Sequence, residues 1–259
     1  MTRRRLLLIL GMVFLTLTCG PKKPPPSDED LYRFAEEQMT KHKYNKALTA
    51  YEKIKATNNR ELRAQVHLRR ADAFFAQKNA LSLSEAQTLY RSFLNLFPLS
   101  HQAPYAQYRL GLCLMRQINP PERDQSPTHT AMAAFQKVLD LYPNSDWVGD
   151  ARDRLQDLND HLARDSLAKA HFYFRAKAYK ATVTRLKSLL KENPGFRERD
   201  QVLYYLGLAL RRSHHEAEGD QFLERLSSEF PESKYTRKAK PFLPSSKPSR
   251  RKGGRKKAA

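Results

Sequence analysis

The sequence predicts an all-α fold, a solenoid of about five helix–turn–helix repeats. Hydrophobic residues are 40% and charged residues 29% of the 259 positions, and glycines are few. The sequence contains no alternating run of Val, Ile and Thr of the kind that indicates a strand. Small residues recur in pairs that stand twelve positions apart, namely Ala35 and Ala47, Ala170 and Thr182, and Gly207 and Gly219.

The repeated unit is most complete between residues 163 and 194. Tyr179 precedes the small residue Thr182, Leu186 and Leu189 follow it at helical spacing, and Pro194 ends the unit. The pattern resembles a tetratricopeptide repeat, in which small residues let two antiparallel helices approach closely and a proline closes the second helix. We therefore predict a tetratricopeptide-repeat solenoid with this stretch as repeat four.

Repeats one and two are predicted upstream on the same layout. Repeat one spans about 28–57, and its acidic start at 28–30 is suited to cap a helix and to lie at its positive end. Repeat two is centred on Ala71 and Ala86. Its turn, near 79–84, is predicted to be three residues longer than the pattern.

Repeats three and five complete the array. Repeat three is centred on Gly111 and Ala131, with an eight-residue insertion in its turn through 120–125. Repeat five uses the glycine pair already named. Aromatic–proline dipeptides end repeats two, three and five, each followed by a serine that we predict to cap the next helix: Ser100, Ser145 and Ser233.

One long helix is predicted between repeats three and four. The segment 146–164 contains no proline and a single glycine, so we expect a helix from about 146 to 176. This helix would join an N-terminal module of repeats one to three, 28–144, to a C-terminal module of repeats four and five, 145–240.

Residues 1–18 are predicted to be a lipoprotein signal peptide. Three arginines precede an apolar run, 6–17, that is too short for an ordinary membrane span, and Cys19 follows it directly. We predict lipidation of Cys19; the alternative is an ordinary secretory signal with an incidental cysteine. The Pro-rich tether 19–27 would hold the folded body some 25 Å from the membrane.

The positive charge is concentrated at the C-terminus. The formal net charge is +20, and ten of the Lys and Arg residues lie between Arg237 and Ala259, where no acid occurs. We predict a basic, disordered tail over 241–259 that binds acidic surfaces weakly and in a salt-sensitive manner. Because much of the charge lies in this tail and the N-terminus indicates export, we do not expect a nucleic-acid partner.

The sequence does not predict an enzyme. It contains no Gly-rich phosphate loop, no His-Glu-x-x-His metal site and no Gly-x-Ser-x-Gly elbow, so we expect neither a catalytic residue nor a cofactor. The two cysteines, Cys19 and Cys113, cannot form a disulfide framework. Cys113 is predicted to be a small core residue, and His214 and His215 to be solvated rather than bound to metal.

Several short motifs resemble BamD-type (YfiO/ComL-type) lipoproteins, the helical-repeat component of the outer-membrane β-barrel assembly machine. The resemblance covers roughly 28–240 and is strongest over 104–194. The basic tail has no clear counterpart, and Thr16-Leu17-Thr18 departs from the usual lipoprotein box. The motifs are Arg123-Asp124, Tyr142-Pro143-Asn144-Ser145, Arg154-Leu155, Leu162-Ala163, Phe172-Tyr173 and Val183-Thr184-Arg185.

The resemblance implies a non-catalytic scaffold at the periplasmic side of the outer membrane, held by its lipid anchor. Its N-terminal repeats would meet unfolded outer-membrane proteins, and its C-terminal repeats would dock the barrel-forming, BamA-type subunit. Other assembly lipoproteins are further expected partners. Gly20, in place of the Asp that retains lipoproteins at the inner membrane, agrees with this location. The alternative is a general envelope repeat lipoprotein of pilus assembly, cell division or peptidoglycan association.

Two sets of residues are predicted to bind these partners. Tetratricopeptide first helices line a groove through positions three before, one after or four after the small residue. Aromatic and Met side chains at such positions suit peptide binding, although they also suit simple packing between helices. Arg185 matches an arginine of the family and is predicted to dock an acidic partner residue. The predicted substrate-groove residues are Tyr32, Met39, Leu68, Phe75, Tyr108 and Met115, together with Tyr105, which lies one turn before Tyr108.

Overall fold

The computed structural model describes residues 26–56, 58–121 and 123–243. The predicted signal peptide, the lipidation site Cys19, most of the tether and the tail from residue 244 lie outside the described residues. The chain divides into two compact units, 1–66 and 67–259.

Eleven α-helices and one short 3₁₀ helix form the described part of the chain, where no strand occurs. The first ten helices form five helix–turn–helix pairs, which confirms the predicted all-α tetratricopeptide fold. In order they are α1 (Asp28–Thr40), α2 (Tyr44–Lys53), α3 (Arg60–Gln77), α4 (Ala80–Leu96), α5 (Ala103–Met115), α6 (Ser126–Leu141), α7 (Trp147–Arg175), α8 (Tyr179–Glu192), α9 (Arg199–Arg212), α10 (Glu216–Glu229) and α11 (Lys234–Ala239), with the 3₁₀ helix at Lys240–Phe242.

In the first unit, α1 and α2 form repeat one. The small residues Ala35 and Ala47 are fully buried, as their pairing predicts, and Tyr51 is buried beside them. Tyr32 and Met39 pack against this cluster from its edge and stay partly exposed. The first helix pair is therefore held by small residues at its centre and by larger apolar side chains around it.

The start of α1 differs in one detail from the expectation. Ser27 is the N-cap, because its Oγ accepts the Asp30 N–H (3.1 Å), while the three acids lie in the first turn. The carboxylate of Asp28 instead accepts the N–H groups of Lys55 (3.2 Å) and Ala56 (2.7 Å). This acid connects the end of repeat one to its beginning.

In the second unit, three glycines lie where helices approach closely. A Cβ placed on Gly219 would lie 2.7 Å from the Gly207 carbonyl oxygen, so this pair lets the backbones of α9 and α10 meet. A Cβ on Gly111 would lie 2.7 Å from the ring of Phe135, so this glycine makes room for an aromatic side chain of α6. The pairs of small residues thus predicted a close approach of helices at both places, but only the first is backbone against backbone.

The predicted long turn of repeat two is wrong. Helix α3 ends at Gln77 and α4 begins at Ala80, with Asn79 as N-cap through its Oδ1, which accepts the Ser82 N–H (2.9 Å). The extra residues lengthen the helices, because an asparagine cap starts α4 early. The insertion of repeat three does form a long turn, between Met115 and Ser126.

The predicted serine caps are right at one of three positions. Ser233 caps α11 by accepting the Tyr235 N–H (3.0 Å). Ser100 accepts the Gln102 N–H within the connecting turn, and the Ser145 Oγ is buried with no hydrogen-bond partner among the described residues. The N-caps of α5 and α7 are Gln102 and Asp146, which already have helical dihedral angles, so the preceding serines lie too far upstream to cap.

The predicted long helix is confirmed as α7, which has 29 residues. It packs against α6 on one side and α8 on the other, and it also contacts α5 and α9. Trp147 begins α7 and stacks on Tyr108 of α5, the first helix of repeat three. Helix α7 therefore connects repeat three to repeats four and five within the second unit.

Candidate functional site

A buried carboxylate organises the first-helix face of repeats two and three. Asp72 of α3 accepts hydrogen bonds from the hydroxyls of Tyr90 (2.6 Å) and Tyr105 (2.8 Å), both at Oδ1. The guanidinium of Arg109 lies 3.5 Å from the same oxygen, and that of Arg69 lies 3.4 Å from Oδ2. Side chains of three helices, α3, α4 and α5, therefore meet at one acid.

The network sets the protonation of its tyrosines. Burial, and then the negative charge of Asp72, raise the pKa of Tyr105 well above its ordinary value, and the same two causes raise the pKa of Tyr90. Both hydroxyls, which an ordinary tyrosine pKa already keeps protonated at neutral pH, therefore remain donors to the carboxylate further into the alkaline range. Burial also raises the pKa of the nearby Cys113 thiol to about 12, which keeps this core cysteine neutral and unreactive.

Two guanidiniums share the ring of Phe75 beside this network. The guanidinium carbon of Arg109 lies 4.0 Å from the ring centre and that of Arg116 lies 3.9 Å from it. Arg116 also donates from Nη1 to the Phe75 carbonyl oxygen (3.3 Å). Cation–π contact and a backbone hydrogen bond hold the Arg116 head in one place, although the residue is exposed.

An aromatic cluster continues this face toward α7. The Trp147 ring stacks on Tyr108 with ring centres 5.0 Å apart and lies 5.1 Å from Tyr105. Tyr108 in turn contacts Phe135 of α6. Tyr105 and Trp147 remain partly exposed, so the cluster presents aromatic surface beside the arginines.

The structure places the predicted groove residues in different environments. Phe75, Tyr105 and Tyr108 come together on the first-helix face of repeats two and three, where Phe75 and Tyr108 are buried and Tyr105 is partly exposed. Met115 lies half-exposed at the end of α5. Leu68 is only 1% exposed and is a core residue. Tyr32 and Met39 lie in the first unit. The assignment of the predicted groove residues to a substrate surface stays a prediction.

Sequence reasoning missed the arginines of this face. Arg69 precedes Ala71 by two positions and Arg109 precedes Gly111 by two, so the same repeat position has an arginine in repeats two and three. That recurrence was a usable signal. No signal in the sequence marked Arg116 or Trp147, because their positions in the structure depend on packing between neighbouring repeats.

Arg185 lies at a second candidate surface, on α8. It lines an open cleft of about 530 Å³ together with Tyr173 of α7 and other side chains of α8, including Glu192. Its guanidinium carbon lies 5.5 Å from the centre of the Tyr173 ring. Within the described part of the chain Arg185 forms no ion pair, so its positive charge is available to a partner.

The Arg123-Asp124 turn is ordered by side-chain hydrogen bonds. Asp124 accepts the N–H (3.1 Å) and hydroxyl (2.8 Å) of Ser126, which lower the pKa of this carboxyl group. The Gln125 amide donates to three carbonyl oxygens of the turn, and His161 of α7 contacts the Asn119 oxygen (2.9 Å). The turn is thereby held against α7, with Arg123 exposed.

Two kinds of feature are absent from the described helices. None of them is long and apolar enough to cross a membrane. Within the same residues, no group of three or more His, Cys, Asp or Glu side chains is arranged to hold a metal ion.

Comparisons with known proteins identify relatives of this chain. The outer membrane protein assembly factor BamD of Vibrio cholerae is 30% identical over 200 residues, which cover 71% of this chain and 82% of that protein. The factor of the same name from Haemophilus influenzae is 27% identical over 264 residues, 96% of each chain. Among solved structures, the TPR2AB domain of yeast Sti1 aligns over 79% of this chain and 78% of that one, with a TM-score of 0.47 and 12% identity.

A family match covers most of the described helices. Residues 24–221 match the YfiO family of outer membrane lipoproteins. The match begins before α1 and ends within α10, so it includes both candidate surfaces. The chain therefore belongs to the YfiO outer membrane lipoprotein family.

Proposed function

We propose that this chain is a non-enzymatic lipoprotein scaffold of outer-membrane protein assembly. Its relatives are named as assembly factors, and both candidate surfaces described above offer binding groups without a catalytic arrangement. In this proposal the N-terminal repeats bind unfolded barrel proteins, and the C-terminal repeats dock the barrel-forming, BamA-type subunit. Other assembly lipoproteins are expected to bind the same scaffold.

The observation that supports docking most directly is the unpaired guanidinium of Arg185. An arginine fixed beside an aromatic ring in an open cleft is suited to receive a carboxylate through two hydrogen bonds. We therefore propose that an acidic residue of the barrel-forming subunit binds Arg185. A solvated arginine with no partner is the alternative.

A charge reversal separates these two possibilities. The Arg185→Glu variant should bind the barrel-forming subunit at least 2 kcal/mol more weakly if the contact is buried, because two carboxylates would then face each other. Binding would be measured by crosslinked pull-down from envelope membranes and by titration with the purified subunit. The Arg152→Glu variant is a matched control, since Arg152 is an exposed arginine of α7.

Restored binding after the opposite charge change on the partner would establish the pair. Wild-type affinity of Arg185→Glu would contradict the docking assignment while leaving the repeat fold in place. Recovery of cell-wall fragments or division proteins, in place of assembly subunits, would favour the general envelope lipoprotein instead.

Attachment to the membrane is proposed to require Cys19. A Cys19→Ser chain should lose stable membrane attachment, because a single acyl chain is already a marginal anchor and this variant would have none. Fractionation of envelope membranes measures the loss. Mass spectrometry that shows an unmodified mature N-terminus would contradict lipidation.

A further inference from the structure

Arg116 has an unusual combination of exposure and order. Its guanidinium is held over the Phe75 ring and by the Phe75 carbonyl oxygen, yet the residue is exposed. Most exposed arginines lose considerable side-chain entropy when they bind a ligand. A head group that is already fixed loses less, so it binds an anion at a lower entropic cost.

The charge of Arg116 is not compensated within the described residues. The buried acid of this face, Asp72, is shared by Arg69 and Arg109, and Arg116 forms no ion pair in the described part of the chain. Arg109 stands on the same ring, with 20% of its side chain exposed. The face therefore presents an anion-binding group next to a second, mostly buried cation.

The surroundings of Arg116 fit a polypeptide ligand better than a free ion. Leu112 and Met115, one turn or less before it on α5, are partly exposed, and Tyr105 and Trp147 add aromatic surface further along the same face. Apolar and aromatic surface of this kind binds neighbouring side chains of an extended chain. A guanidinium beside it selects a carboxylate, which it can bind through two parallel hydrogen bonds.

We infer that Arg116, with Arg109 on the shared Phe75 ring, forms a carboxylate-binding subsite for polypeptides on the first-helix face of repeats two and three. The inference rests on the proposed function, since it specifies which group of an unfolded substrate this face selects. The carboxylate comes from an acidic side chain or from the C-terminus of the bound chain.

The test uses three synthetic peptides of one length, each with alternating apolar and polar residues. The first has one central Glu and an amidated C-terminus, the second has Gln in its place with the same amide, and the third has Gln and a free C-terminal carboxylate. Binding to the full chain in detergent is measured by fluorescence anisotropy. The proteins compared are the wild type, Arg116→Gln and, as a matched control on the exposed side of α4, Arg91→Gln.

We expect the Glu peptide or the free-terminus peptide to bind wild type about tenfold more tightly than the neutral peptide, the effect of one charged hydrogen-bond pair. Arg116→Gln should abolish that preference without changing binding of the neutral peptide, and Arg91→Gln should leave it unchanged. The peptide that shows the preference identifies the source of the carboxylate. The preference should also fall at high salt.

The outcomes separate this inference from the function on which it rests. If all three peptides bind wild type equally, or if Arg116→Gln retains the preference, the subsite is overturned while polypeptide binding stands. If no peptide binds, the substrate-binding role of this face and the subsite are both contradicted. The comparison among peptides on wild type is decisive even if a variant is unstable.

Discussion

Two buried aspartates of the second unit, Asp72 and Asp160, bind their surroundings in different ways. Among the described residues, the Asp72 carboxylate meets the hydroxyls of two tyrosines and the guanidiniums of two arginines. Asp160 of α7 accepts the backbone N–H of Arg197 (3.3 Å) and the side-chain amide of Gln156 (2.9 Å). The Arg197 guanidinium lies 3.2 Å from its other oxygen, without hydrogen-bond geometry.

The partners differ most in their own exposure. The Arg109 side chain at Asp72 is 20% exposed, whereas the Arg197 side chain at Asp160 is 55% exposed and also binds Asp157 (2.7 Å). A cation that remains in water keeps its solvation when its acid is removed, but a buried cation does not. Asp72 therefore compensates the Arg109 charge within the first-helix face of repeats two and three. Asp160 binds the turn after α8 to the long helix α7.

The largest expected effect follows from Asp72. The Asp72→Asn variant keeps the size of the side chain but leaves the Arg109 charge without its acid, so the free energy of unfolding should fall by about 3 kcal/mol. Urea denaturation followed by circular dichroism measures the change. Asp153→Asn, at an exposed acid of α7, is the control and should change stability by less than about 0.5 kcal/mol. Equal stability of both variants would mean that Arg109 is compensated by other groups.

The comparison also shows what the sequence was able to predict. The spacing of small residues predicted the five helix pairs and the crossing at Gly207 and Gly219, because a close backbone approach requires small side chains. The lack of proline after residue 146 predicted α7 nearly to its ends. Local patterns of this kind depend on neighbours in the chain, which a single sequence contains.

The two buried acids were not predicted as network centres, for a physical reason. The hydroxyl partners of Asp72 come from Tyr90 and Tyr105, 18 and 33 positions away. Asp160 meets Arg197 across 37 positions. Such partners are set by how repeats stack, and repeat spacing alone does not specify which polar side chains then meet.

The close contacts at Gly219 and Gly111 give a second comparison, of packing rather than charge. The expected losses of stability are smaller than at Asp72. Gly219→Ala should lower the free energy of unfolding by about 2 kcal/mol, because its Cβ would meet the backbone oxygen of Gly207, which cannot move without shifting α9. Gly111→Ala should cost less, about 1 kcal/mol, since its Cβ meets the end of the Phe135 ring, which can tilt.

Gly149→Ala is the matched control for both glycine variants. Nothing lies within 4 Å of a Cβ at this position of α7, so alanine should stabilise the helix by about 0.5–1 kcal/mol. Thermal denaturation of the three variants gives the order. If Gly111→Ala were more destabilising than Gly219→Ala, the aromatic contact of repeat three would be the more rigid of the two.

A smaller loss is expected at Asp160 than at Asp72. Asp160→Asn still offers an oxygen to the Arg197 N–H and leaves that arginine solvated and paired to Asp157, so it should cost about 1 kcal/mol. Hydrogen exchange should show the loss locally, in the turn 193–198. A cost equal to that of Asp72→Asn would show that the exposure of the partner arginine does not decide the effect.

The smallest expected effect concerns a turn conformation that repeats two and four share. The intra-repeat turns of repeats two and four each place a lysine in the left-handed region, Lys78 with φ 63° and Lys177 with φ 60°. A side chain is disfavoured there, while glycine adopts this conformation freely but loses more backbone entropy on folding. The net of these two effects should stabilise both Lys78→Gly and Lys177→Gly by about 0.5 kcal/mol.

Both lysines are exposed and their changes remove equal charge, so each serves as the other's control in the same denaturation series. Equal gains would mean that the conformation of neither turn depends on the hydrogen-bond networks of Asp72 and Asp160. A gain at Lys177 with a loss at Lys78 would contradict that independence and would indicate that Lys78 stabilises repeat two through its side chain.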